Sequence, residues 1–231
     1  MRLSGLRGAV LLLVGLLGSL VSPAMSVVST TARLAGRDQI DAVVEGTVEI
    51  PRGRALAPLP RYPNQTVQPV QPEPRKAVVY LDGTFPAGPV PRSTRMGQKG
   101  LQFVPGLLPV RRGTSVIFPN DDDLYHNVFS YSKAKRFDLG RYRKDETPAV
   151  QTFERAGVVR LSCEIHSHME GVILVLDTPH FQKTDANGAY RLEGLPAGKF
   201  TLKAWISEKQ VLERPVELVP GARLRVDFVA R

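Results

Sequence analysis

The strongest constraint on the fold of this chain is the pattern of short apolar segments from residue 101 onwards. These segments are four to eight residues long, carry many β-branched and aromatic residues, and are separated by turn residues. None of them shows a sustained 3.6-residue periodicity, which a surface helix would need. Short strands at this spacing are typical of an all-β sandwich or barrel with Greek-key connections. The predicted strands are Leu101–Val104, Thr114–Phe118, His126–Ser132, Arg136–Tyr142, Val150–Glu154, Val158–Ile165 and Gly171–Asp177.

Two further strand-like segments precede this region. Residues 42–50 and 77–81 show the same β-branched enrichment. Ten prolines lie between Pro51 and Pro91, so neither a helix nor a central sheet strand runs through the segments that they interrupt. We therefore predict a first domain over residues 38–178, with a proline-rich surface insertion at about residues 52–75.

A second, smaller β domain is predicted over residues 179–231. Strand-like segments alternate there with Asn-Gly, Pro-Ala-Gly and Pro-Gly turns. The segment from Thr184 to Leu202 resembles the carboxypeptidase regulatory-like, prealbumin-type sandwich. The turn glycines Gly188 and Gly198 and the alternating Tyr190 and Leu192 carry this resemblance. The resemblance implies a fold but provides no catalytic group.

The first 26 residues predict a secretory signal peptide. Arg2 and Arg7 make the start of this segment positively charged, and an apolar stretch of about a dozen residues follows. Small residues then end the segment. Cleavage after Ala24 or Ser26 is equally acceptable. A retained membrane anchor is the alternative, but the apolar stretch is short for a span of roughly 20 residues. We expect a protein that is periplasmic or otherwise exported, with no membrane span in the mature chain.

The charge balance is basic, with a formal net charge of +9 that signal-peptide removal lowers to +7. The basic cluster lies between Lys133 and Lys144 and is interleaved with tyrosines. Strand alternation explains those tyrosines, and an exported chain rarely meets nucleic acid, so we predict no nucleic-acid partner. A solvated strand rim is the simplest interpretation. Docking of a redox partner protein with an acidic face is the functional alternative.

The residues that carry chemistry surround the single cysteine. Export usually accompanies paired cysteines, yet Cys163 has no partner for an intramolecular disulfide. Strand alternation places Cys163 on the inward face of its strand. His166 and Met169 follow it at positions +3 and +6, and His126 begins an earlier strand. Two imidazoles, a thiolate and a weak axial thioether form the ligand set of a blue-copper electron-transfer site.

On these residues the sequence resembles the cupredoxins, particularly the plastocyanin and amicyanin branch. Cys163-x-x-His166-x-x-Met169 has the short loop of amicyanin. The resemblance implies a Greek-key cupredoxin sandwich with His126, Cys163 and His166 as equatorial copper ligands and Met169 as the axial one. It implies that Asn127 ties the two ligand segments together, with its backbone N–H directed at the Cys163 sulfur. It also implies that electrons leave through the edge of His166.

The chain also resembles exported cupredoxin-like proteins of the methylamine-utilisation type. In those proteins such a domain precedes a regulatory-like sandwich. The insertion at residues 52–75 and the additional His168 depart from the family pattern. We predict a solvent-facing His168 and keep it as an alternative ligand. The run Asp121-Asp122-Asp123 lacks the spacing of a calcium loop and predicts a solvated turn.

Several other functions compete with a single type 1 copper site. Cys163 could be an inert buried residue, a nucleophile paired with a histidine, or a zinc ligand. The nucleophile hypothesis lacks an evident orienting Asn or Asp beside the histidine. We predict an electron carrier rather than an enzyme, with a copper-delivery protein and a structural or partner-binding module as the alternatives.

Overall fold

The computed structural model describes residues 41–51, 70, 73–86 and 88–229, and these residues form seventeen β-strands and no helix. The predicted all-β fold is therefore confirmed. The predicted signal peptide and most of the predicted insertion lie outside the described residues. No membrane-spanning helix is found in this described part of the chain. The strands are β1 (Ala42–Thr47), β2 (Val78–Asp82), β3 (Ser93–Arg95), β4 (Gly97–Gln98), β5 (Phe103–Val104), β6 (Leu107–Arg111), β7 (Ser115–Phe118), β8 (His126–Tyr131), β9 (Arg136–Tyr142), β10 (Ala149–Thr152), β11 (Gly157–Ser162), β12 (Glu170–Leu176), β13 (Phe181–Lys183), β14 (Ala189–Leu195), β15 (Gly198–Ser207), β16 (Gln210–Leu218) and β17 (Arg223–Arg225).

Strands β3 to β12 form a β-sandwich that we call the cysteine sandwich, because Cys163 lies in it. A five-stranded sheet with the order β6-β12-β11-β8-β9 packs against a three-stranded sheet with the order β10-β7-β3. Strands β6 and β12 are parallel neighbours although they are distant in the chain, so the chain crosses over between them. Apolar side chains from both sheets fill the core, including Val116, Phe118, Val128, Val159, Leu161, Cys163, Met169, Ile173 and Val175.

The remaining strands form a second assembly, which we call the C-terminal sandwich. One sheet has the order β14-β1-β17 and the other has the order β13-β2-β15-β16. Its separate core includes Val44, Val79, Leu81, Tyr190, Leu192, Leu195, Leu202, Leu218 and Phe228.

The strand pairing differs from the predicted domain boundaries. We predicted residues 42–50 and 77–81 within the copper domain at 38–178, but β1 pairs with β14 and β17, and β2 pairs with β13 and β15. Alternation in a sequence identifies a strand and its buried face, but it does not identify the partner strand. The C-terminal sandwich therefore contains strands from both ends of the described chain.

Strand β12 connects the two assemblies because both of its faces are buried. Ile173 and Val175 point into the core of the cysteine sandwich, whereas Leu174 and Leu176 contact Val78 and Trp205. The two-residue period of a strand produces this division, and burial on both faces explains the nearly continuous apolar sequence of β12. Full burial stabilises a large apolar side chain by about 1.5–3 kcal/mol. The junction is therefore a substantial part of the core.

Candidate metal centre

The loop between β11 and β12 carries three of the predicted ligands. The antiparallel pair Ser162 and Glu170 closes its two ends, and Cys163 is its first residue. Val159, Leu161 and Cys163 are all buried, so the predicted inward direction of Cys163 is confirmed. Inside the loop, the Met169 backbone N–H donates to the His166 carbonyl at 2.9 Å. The loop is thus short and fixed at both ends.

His126 reaches this loop from a different strand. It begins β8, which pairs with β9 on one side and contacts β11 through Phe129 and Ser162 on the other. The Asn120 side-chain amide donates to the carbonyls of Leu124 and Tyr142, which holds the turn before β8 in place. The sandwich therefore sets the position of His126 independently of the cysteine loop.

The donor atoms of His126, Cys163 and His166 converge in the interior. The two Nδ1 atoms are 3.1 Å apart, and the Cys163 Sγ is 3.9 Å from the His166 Nδ1. One donor atom from each of the three residues lies within 4.8 Å of the others, and all three residues are at most 3% exposed.

This convergence fits a single metal ion. Two nitrogens that bind one ion at about 2.0–2.1 Å with a near-tetrahedral angle are about 3.3 Å apart, and a sulfur at about 2.3 Å lies about 3.5–4 Å from either nitrogen. The observed separations are close to these values. A soft thiolate with two imidazoles suits copper and is also compatible with zinc.

Asp122 supports His126 from behind, and the sequence did not predict this role. The His126 Nε2 lies 2.9 Å from the Asp122 Oδ2, so the ring donates there and directs its Nδ1 at the cluster. The backbone N–H groups of Gly100 and Leu101 donate to the same carboxylate at 2.8 and 3.0 Å.

The predicted solvated turn is therefore wrong for Asp122, which is 5% exposed. Asp123 in the same run is exposed, as expected. The turn at residues 98–101 buries Asp122, and Leu101 in that turn adopts a left-handed φ of 59°. No sequence motif at Leu101 indicates this left-handed conformation. The spacing of residues in the sequence therefore could not identify the role of the Asp122 carboxylate.

Asn127 lies between the two ligand segments. Its Oδ1 accepts a hydrogen bond from the Glu164 backbone N–H at 3.3 Å, and its Nδ2 donates to Asp138 at 2.8 Å. Its own backbone N–H is directed at the Cys163 sulfur. These contacts connect β8 and β9 to the residue that follows the cysteine.

The electrostatics of the cluster favour the metal-binding forms of Cys163 and His166, whereas they favour the protonated form of His126, whose proton a bound metal would displace. Burial raises the pKa of the Cys163 thiol, but hydrogen bonds from His126 and from nearby backbone N–H groups outweigh burial and lower the pKa overall. Burial, followed by the charges of His126 and His168, lowers the pKa of His166 to about 4. Burial also opposes the charged form of His126, yet Asp122 and Cys163 raise its pKa overall.

Met169 and His168 occupy different environments. Met169 is 1% exposed and packs in the same core cluster as Cys163. His168 is half-buried rather than solvent-facing as predicted, and its ring hydrogen-bonds the Leu101 backbone. Its ring centroid lies 6.4 Å from that of His166. The fold holds His168 against the turn that also anchors Asp122.

The surface over the cluster also differs from the predicted one. The edge of His166 was expected near the surface, but this residue is only 3% exposed. Tyr125, which directly precedes His126, is 50% exposed.

No protein-family model matches this chain, and no curated protein matches it. Among solved structures, a reduced single-site mutant of amicyanin is 18% identical, with 42% of this chain and 98% of that chain covered and a TM-score of 0.34. A copper-containing nitrite reductase from Thermus scotoductus is 25% identical, with 48% and 26% covered and a TM-score of 0.35. A purple cupredoxin from Nitrosopumilus maritimus is 27% identical, with 32% and 81% covered and a TM-score of 0.29. The case for a metal in this chain comes from its own donor atoms.

Proposed function

We propose that this chain is an exported type 1 copper protein that carries single electrons between redox partners and is not an enzyme. The observation that carries this proposal is the convergence of the His126, Cys163 and His166 donor atoms in a buried cluster. Copper in such a site exchanges one electron between its two oxidation states. The stiff β scaffold holds the ligands in place, so few atoms move when the charge changes.

Each supporting residue has a proposed role. Met169 is the proposed axial ligand, since it is buried beside Cys163 at the end of the loop, and His168 is the alternative. Asn127 ties β8 to the cysteine loop and donates toward the sulfur. Asp122 holds His126 with its Nδ1 toward the ligand cluster.

Access to the cluster argues against nucleophilic catalysis. Asp122 does supply the orienting carboxylate that the sequence lacked beside a histidine, so Asp122, His126 and Cys163 resemble a Cys-His-Asp arrangement. However, Cys163 is 3% exposed and His126 is 0% exposed in the described part of the chain, so the sulfur offers almost no surface to a substrate. A carrier of electrons needs no such path.

The remaining elements of the proposal concern location and partner. The signal-peptide pattern at residues 1–26 supports export to the periplasm. The cations between Lys133 and Lys144 support an acidic redox partner protein.

Copper titration combined with voltammetry tests the proposed function. We expect one equivalent of copper to bind, to remain bound against a chelator, and to cycle reversibly by one electron. A copper-delivery protein would instead lose the metal readily to the chelator. A zinc site would bind a metal without redox cycling, and a purely structural module would bind none. Each of these three results would contradict the electron-carrier proposal.

A further inference from the structure

Two exposed tyrosines lie at the two ends of β8, and an arginine guanidinium group lies over the ring of each. Tyr125 precedes β8 and is 50% exposed, and Tyr131 ends it and is 68% exposed. The Arg143 guanidinium carbon is 5.2 Å from the Tyr125 ring centroid, and that of Arg136 is 5.0 Å from the Tyr131 ring centroid. Tyrosine and arginine are the residues that most often dominate binding energy in protein interfaces.

The charge on this hairpin favours an acidic partner. Strand β9 is the edge strand of its sheet. Arg136 and Arg141 lie in this strand and Arg143 comes directly after it, and all three residues are exposed. Arg141 pairs with Glu164 at 2.6 Å. Arg136 and Arg143 form no ion pair with a described residue and lie over tyrosine rings instead. Their charges are therefore available to carboxylates of another protein.

One end of the hairpin lies next to the candidate metal centre. His126 faces Tyr142 across the β8–β9 ladder, so Tyr125 and Arg143 are each the next residue along their own strand. Tyr131, which faces Arg136, lies five residues beyond His126 along β8, which is about 16 Å at about 3.3 Å per residue. A partner at the Tyr125–Arg143 end therefore sits closest to a ligand.

On the basis of the proposed electron-carrier function, we propose that the Tyr125–Arg143 end of the β8–β9 hairpin is the docking site for the acidic redox partner protein. One electron passes from the reduced carrier to the oxidised partner, and no bond forms or breaks. His126 and His166 are both buried, and the electron leaves on the His126 side of the centre, where the adjoining Tyr125 is 50% exposed.

Mapping of the bound surface tests this proposal directly. The copper-loaded, reduced mature protein is titrated with a soluble acidic c-type cytochrome, and backbone amide shifts are recorded by NMR. We expect the largest shifts at residues 123–126 and 141–144. Shifts centred on residues 164–168 or on Tyr131 would overturn the proposal. It would also fall if vesicles containing phosphatidylserine shifted these amides while the cytochrome did not.

Charge reversal provides the second test, with a matched control. Arg143→Glu should slow electron transfer to the same cytochrome by about 5–10-fold at low ionic strength, and less in high salt. Arg214→Glu is the control, because Arg214 is exposed and also lies over an aromatic ring, that of Phe228, but belongs to the C-terminal sandwich. Its rate should equal that of the unmodified protein.

The two proposals can fail separately. If the unmodified protein neither binds copper nor cycles by one electron, the electron-carrier function is wrong. If Arg143→Glu keeps the copper and the reduction potential but transfers electrons as fast as the control, only the docking site is wrong.

Discussion

At the scale of single residues, the orientation of His126 depends on a carboxylate that is itself fixed by the backbone. Asp122 accepts hydrogen bonds from the His126 ring and from the N–H groups of Gly100 and Leu101. These charge-assisted bonds outweigh burial, so the pKa of Asp122 is lowered and the carboxylate stays ionised. A metal ligand is thus connected through one side chain to a turn in another part of the sandwich.

Asp122→Asn should weaken copper binding by about 10–100-fold while the protein remains folded. The amide nitrogen of asparagine can donate to the His126 Nε2, which favours the ring tautomer that carries its proton on the Nδ1 facing the cluster. Competition with a chelator of known affinity measures the effect. Asp123→Asn is the control, because Asp123 is exposed and pairs only with Lys144 in the described structure. Equal copper affinity in both variants would contradict the role of Asp122.

Substitution distinguishes the two candidates for the axial position, Met169 and His168. Met169→Leu should keep the copper and the colour but raise the reduction potential, because losing a weak donor disfavours Cu(II) more than Cu(I). The two side chains have similar volumes, so the stability cost should be below about 1.5 kcal/mol. Voltammetry and the visible spectrum measure both effects.

His168→Ala should leave the copper spectrum nearly unchanged and cost about 1 kcal/mol of stability through the lost hydrogen bond to the Leu101 backbone. If His168→Ala changed the spectrum and Met169→Leu changed nothing, His168 would be the ligand instead.

At the scale of strands, the sequence predicts where each strand lies better than it predicts which strands pair. The predicted Arg136–Tyr142 coincides with β9, and the other predicted strands from β7 to β12 match within three residues at each end. The loop from Cys163 to Met169 is local, so its ligand spacing is visible in the sequence. The partners of β1 and the burial of Asp122 depend on contacts between distant segments, which alternation does not encode.

Gly46→Ala tests whether β1 belongs to the C-terminal sandwich. A Cβ at Gly46 would lie 1.9 Å from the Val226 carbonyl oxygen, so β1 and the chain after β17 would have to separate. We expect a loss of about 1–3 kcal/mol in the free energy of unfolding, with the copper spectrum unchanged.

Gly106→Ala is the matched control for this variant, because a Cβ there meets only the Phe103 carbonyl oxygen at 3.9 Å. Thermal unfolding compares the two proteins. A Gly46 variant as stable as this control would place β1 elsewhere.

At the scale of the whole molecule, the junction makes the two sandwiches depend on each other. Leu174 and Leu176 on β12 contact Val78 and Trp205, and an ion pair between Arg160 and Glu208 lies nearby. The sequence predicted a separate second domain over residues 179–231, which a truncation after Asp177 would remove. Such a truncation would expose this face of β12 and leave β1 and β2 without their partners.

We expect the two sandwiches to unfold in one step. Trp205 is the single tryptophan of the chain and is 7% exposed at the junction, so its fluorescence reports on that region, whereas copper colour reports on the cysteine sandwich. Both signals should change at the same denaturant concentration. A tryptophan transition clearly separate from the loss of colour would contradict this expectation and support two independent domains.

The visible absorption spectrum after addition of one equivalent of Cu(II) tests the central claim most directly. A thiolate bound to copper in the His126, Cys163 and His166 cluster should give intense blue or green charge-transfer absorption. Cys163→Ser should abolish that absorption, because a hydroxyl cannot replace the thiolate as the donor. A nearly colourless copper adduct of the unmodified protein, or an intense band that survives in the serine variant, would contradict the proposed copper centre.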